Sequence, residues 1–161
     1  MALLESLKET AFVMLEETFP SRDKGGNVYL DRCTGWFPSL EGLSAEDASV
    51  PIVPGGTTIA AHTFHTVFYL DVVMAELKGR SLGRVDWKES WVVSKVDAPA
   101  WDDLRRRLRE AYEEVVALLE ADADWGQAHV EVVMAAVTHS AYHLGAVRQF
   151  HTVLRAREVT D

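Results

Sequence analysis

Cysteine is almost absent from this chain: of 161 residues, only Cys33 carries a thiol. An internal disulfide and a cysteine-rich zinc site are both excluded, so any metal must be held by imidazole or carboxylate. Positive charge is also scarce. Sixteen Lys and Arg against 25 Asp and Glu leave a formal net charge of −9 and a pI near 5.1, which argues against a phosphate-binding surface and hence against a nucleic-acid partner. No apolar run approaches the roughly 18 residues that a membrane span needs. The most apolar stretch, Val130 to Val137, gives way to Thr138, His139 and Ser140. The opening residues carry Glu5, Glu9, Glu16 and Glu17 and lack the basic start and unbroken apolar block of an export signal. A cytoplasmic protein with no membrane partner is expected.

What is present suits a folded domain. Hydrophobic residues make up 48% and charged residues 25%, too apolar a mixture for intrinsic disorder. The length fits one domain around one core, so residues 1–161 read as a single unit. Four segments show helical spacing and none shows strand alternation. The first runs from about Leu3 to Phe19 and is stopped by Pro20. A long connection follows to Gly56, punctuated by Gly25-Gly26, Gly35, Pro38, Gly42, Pro51, Pro54 and Gly55. It reads as loop with short turns that crosses the helices or covers one end of them. The second segment opens at the N-cap candidates Thr57 and Thr58 and ends near Lys78, with Gly79 as its C-cap. After a tryptophan-containing loop, Ser81 to Pro99, the third spans Ala100 to Ala121; Arg105, Arg106, Arg107 and Arg109 among Glu110, Glu113 and Glu114 describe a solvated face. The fourth begins at Trp125 or Gly126 and reaches about Arg157, roughly 45 Å of helix. The expected fold is all-α, a four-helix bundle with a long crossover connection between helices 1 and 2.

The histidines are the chemically informative residues. His139 and His143 are four apart, so they share one helical face and can chelate one ion. Their stripe, Val132, Ala136, His139, His143, Ala146 and Phe150, is otherwise apolar and should face inward. In the second segment His65 falls on the apolar line of Ala61, Phe68 and Val72, whereas His62 falls on the more mixed line of Thr58 or Ile59, Thr66, Tyr69 and Val73. His65 is therefore the expected third inward imidazole. Three neutral imidazoles would leave a fourth position for water or substrate; zinc, nickel, iron and manganese all suit nitrogen ligands. A His-x-x-x-His pair also arises without a metal, its rings satisfied by hydrogen bonds. Residue 140 is Ser, so the His-Glu-x-x-His protease pattern with its general base is missing.

The run Thr58-Ile59-Ala60-Ala61-His62-Thr63-Phe64-His65, taken with His139-Ser140-Ala141-Tyr142-His143-Leu144-Gly145-Ala146-Val147-Arg148-Gln149, resembles the DinB-like superfamily of metal-dependent proteins along most of the chain. The resemblance implies a four-helix bundle with a crossover connection and a divalent metal on three histidines, which by residue match are His65, His139 and His143. The family often has Gly-Gln after the last ligand; here the pair is Gly145-Ala146. Some members are S-transferases or isomerases that use bacillithiol or mycothiol, and this likeness alone brings a low-molecular-weight thiol into view as substrate.

Other residues carry less. Tyr142, between the paired histidines, reads as a packed aromatic with the alternative of a phenol at the site mouth. His62 reads as a helix-surface residue with the alternative of a supporting contact; His129 and His151 read as surface or boundary residues. Trp36, Trp87 and Trp91 fall in loops, and Trp101 and Trp125 near helix starts, where such rings cap a bundle or fill an interface. Two functions are consistent with these features. One is a metal-dependent hydrolase or thiol S-transferase acting on a small molecule. The other is a non-catalytic, metal-stabilised homodimer acting through protein contacts in a stress response. No residue stands out as a general base.

Overall fold

A computed structural model describes residues 2–21, 27–80, 82–122 and 124–158. Gly25-Gly26 and Ser81 lie outside the described residues. Within them, six helices form: α1 (Ala2–Thr18), α2 (Trp36–Leu40), α3 (Ala45–Ala48), α4 (Ile59–Leu77), α5 (Ala98–Ala121) and α6 (Gln127–Glu158). A 3-10 turn at Glu89–Trp91 precedes α5, and no strand is present among these residues. None of the helices is long and apolar enough to cross a membrane.

The central element is α4, which packs against α5 on one side and α6 on the other, while α1 packs on α6. Its composition explains the position. Thirteen of its 19 residues are buried, so it is apolar nearly all round, as a helix surrounded by others must be. Its start is fixed by Thr58, whose hydroxyl accepts the Ala61 amide at 3.1 Å and donates to the Ser94 carbonyl at 2.9 Å. Its end is fixed by Gly79, whose φ of +66° suits a residue without Cβ. In contrast, α5 buries only one stripe, Trp101, Leu104, Leu108, Ala111, Val115 and Leu119. Its outer face carries the pairs Arg105–Asp102, Arg106–Asp103 and Arg106–Glu110, the solvated face read from the sequence.

The connection between α1 and α4 departs from expectation. It is not only loop: α2 and α3 form within it. Trp36, expected in a loop, opens α2 and is fully buried, donating its indole N–H to the Ser140 carbonyl of α6 at 3.0 Å. Trp101 likewise enters the core and donates to the Leu43 carbonyl at 2.8 Å. Gly35 is needed beside Trp36 because a Cβ there would stand 2.7 Å from the Phe19 carbonyl oxygen. The buried Glu17 carboxylate holds the start of this connection by accepting the backbone amides of Val28 and Tyr29, both at 2.8 Å, and of Leu30. A buried charge is tolerated there because several donors satisfy it.

Candidate metal centre

Helix geometry assembles the site. On α6, His139 and His143 lie one turn apart with ring centroids 4.6 Å from each other. His65 projects from α4 to within 5.0 Å of the first ring and 4.5 Å of the second. One nitrogen from each of the three lies within 4.8 Å of the others. No other group of three potential ligands meets this spacing among the described residues.

The surrounding hydrogen bonds decide which ring nitrogens face the centre. Ser90 donates its hydroxyl proton to the Trp87 carbonyl at 2.7 Å, so toward His65 Nδ1, also at 2.7 Å, it can only accept. His65 therefore carries its proton on Nδ1 and offers the lone pair of Nε2. His143 has its Nδ1 engaged by His62 Nδ1 at 2.9 Å, which again leaves Nε2 for the centre. His139 Nε2 is buried and has no hydrogen-bond partner. An orphaned imidazole nitrogen in a buried position is costly, and a cation shared with the two neighbouring rings would satisfy it. The residues present thus fit a divalent metal held by three neutral imidazoles.

Burial sets the charge state. It pushes His65 below its ordinary value, His139 down to about 4 and His143 down to about 3, with the neighbouring histidines adding repulsion for the last two. All three are uncharged at neutral pH, the form that binds metals. Aromatic rings fix their planes: His65 stacks on Trp91 with centroids 4.1 Å apart, and His139 stacks on Tyr69 at 3.6 Å.

The stripe argument that chose His65 over His62 agrees with this arrangement, but three readings need correction. His62 is not a surface residue: it is 7% exposed and contacts His143. Tyr142 is not packed away; it is 75% exposed, its ring edge-on to His143 at 5.0 Å. Trp91, read only as a bundle cap or interface filler, stands against His62, His65 and His143 and forms one wall of the cluster. Ser90, Trp91 and Tyr69 were missed as site residues. His129 and His151 are half-exposed and lie apart from the cluster; the former pairs with Asp122 at 2.9 Å and the latter accepts from Arg155 Nε at 3.1 Å.

Three histidines on two packed helices form a group that could hold a metal ion. Residues 34–155 match the family model of the DinB superfamily, a span that contains α2 through most of α6 and every histidine of the cluster. The chain belongs to the DinB superfamily. No curated protein and no solved structure is significantly similar to it.

Proposed function

We propose that His65, His139 and His143 ligate a divalent cation and that the protein is a metal-dependent enzyme acting on a small molecule, as a thiol S-transferase or hydrolase. The observation that carries this reading is the convergence of three ring nitrogens within 4.8 Å, one of them buried without a partner. When bound, a divalent cation supplies the Lewis acidity that makes water or a thiol nucleophilic near neutral pH. The chain's own residues orient and shield the ligands: Ser90 sets the tautomer of His65, and Tyr69 and Trp91 hold two rings by stacking. Around the cluster, Trp91, Tyr142 and His139 reach solvent. The proposal includes a four-helix bundle of α1, α4, α5 and α6, with the segment between α1 and α4 as crossover, a homodimeric state and a cytoplasmic location.

One observation favours the alternative of a metal-stabilised, non-catalytic dimer. Cavities of about 210 and 900 Å³ beside the cluster are bordered by Tyr69 and by Trp87 respectively, not by the three histidines themselves. Cobalt-substituted protein titrated with a low-molecular-weight thiol separates the two. A new thiolate-to-cobalt charge-transfer band is expected if a thiol substrate reaches the metal; an unchanged spectrum up to saturating thiol contradicts the thiol-dependent reading and leaves the hydrolase and the structural ones.

A further inference from the structure

Behind the three-histidine cluster stands a fourth buried histidine that does not join it. His62 lies on α4 one turn before Thr66, to whose hydroxyl its carbonyl serves as acceptor at 2.9 Å. Its ring is pinned edge-on by Trp91 and by Phe150, each with centroids 5.4 Å away. Both of its nitrogens are engaged. Nδ1 meets His143 Nδ1 at 2.9 Å, and Nε2 meets the hydroxyl of Thr57 at 3.0 Å. Between two imidazole nitrogens only one can carry the proton, so this contact couples the tautomer of His62 to that of His143.

Two proton arrangements satisfy the chain of bonds. In one, His62 donates from Nδ1, and His143 then keeps its proton on Nε2, where it would obstruct coordination. In the other, His143 donates from Nδ1 to His62 Nδ1, and His62 donates from Nε2 to the Thr57 oxygen. Only the second leaves the Nε2 lone pair of His143 directed at the cluster. Resting on the metal-centre reading above, we infer that His62 is a positioning residue: it accepts the Nδ1 proton of His143 and thereby fixes that ligand's tautomer and ring plane. A histidine ligand ordinarily donates its second N–H to a carboxylate, carbonyl or water; here a neutral imidazole takes that part. The same arrangement recurs at His65, where the Ser90 oxygen is the acceptor.

The substitutions follow from geometry. His62→Asn retains an acceptor oxygen at the place of Nδ1, whereas His62→Leu keeps comparable bulk and removes it. Zinc affinity of the full-length protein, measured by chelator competition, is expected to fall about 10- to 100-fold in His62→Leu and to be largely restored in His62→Asn, with thermal melts showing that both variants fold. Nitrogen NMR of the zinc-loaded wild type should show the His143 proton on Nδ1 and a scalar coupling across the hydrogen bond to His62 Nδ1. Wild-type protein that binds no zinc would sink the metal-centre reading and this inference together. Wild-type protein that binds zinc, with His62→Leu binding equally well or with the His143 proton on Nε2, would overturn the role of His62 alone.

Discussion

At the residue scale, the identity of the third inward histidine follows from side-chain periodicity, because residues three apart on a helix point about 60° from each other. That offset separates the apolar line of His65 from the mixed line of His62. It does not say that a mixed line is exposed, and His62 shows why: its polar neighbours Thr57 and His143 satisfy it inside the protein. The pattern misjudged Tyr142 for the opposite reason. Tyr142 points about 60° from His139 and about 100° from its neighbour His143, and here that direction is solvent.

The four buried or half-buried imidazoles also give a pH dependence whose sign is fixed. Burial lowers His62 and His139 to about 4 and His143 to about 3 from an ordinary value of 6.5, and lowers His65 as well. Between those values and 6.5 the unfolded chain binds more protons than the folded one, so stability is undiminished above 6.5 and is lost as the pH falls below it. Each such group contributes up to about 1.4 kcal/mol per pH unit over that interval. Urea midpoints of metal-free protein should therefore drop steadily from about pH 6.5 toward pH 4.5, and less steeply in His143→Leu. A midpoint independent of pH over this interval would contradict the burial of the cluster.

At the element scale, the long helices were legible and the short ones were not. Segments of 17 or more residues repeat their apolar stripe several times, and their caps, Thr58 and Gly79 on α4, are ordinary stop and start signals. Helices α2 and α3, of five and four residues, complete no repeat. A signal for α3 does exist, since Ser44 caps it by accepting the Asp47 amide at 3.0 Å while donating to the Asp47 carboxylate, a close relative of the capping box. The turn at Glu89–Trp91 has a local signal in Asp86, whose carboxylate accepts the Lys88 amide at 3.0 Å, but that signal says nothing of its contact with α4, so Ser90 and Trp91 could not be assigned to the site in advance. The cap of α4 matters to both features because the Thr58 hydroxyl joins the helix start to Ser94. Thr58→Ala should cost about 1 kcal/mol, and up to about 2, measured by chemical unfolding, with a weaker metal affinity as the turn loosens; Thr58→Ser should retain both. Equal stability of the Ala and Ser variants would show that the cap contributes nothing.

At the scale of the whole molecule, charge and core serve different ends. The net charge of −9 favours the attraction of cations, while on the outer face of α5 opposite charges pair with one another. The core brings α4 and α6 together, and with them His65 and His139, which are 74 positions apart in sequence. That pairing could be anticipated because only two segments carry inward histidines, whereas the cross-link from Trp36 to the Ser140 carbonyl, which seats the first connection against α6 between the two paired histidines, could not.

The central claim is that three imidazoles hold one divalent ion. Elemental analysis of the full-length protein, purified without added metal and compared with His65→Ala, His139→Ala and His143→Ala variants shown to be helical, tests it most directly. About one divalent ion per wild-type chain and less than about a tenth of that in each variant is expected, since three ligands act as a unit. A wild-type protein that neither carries nor takes up a stoichiometric ion, or variants that keep it, would contradict the account.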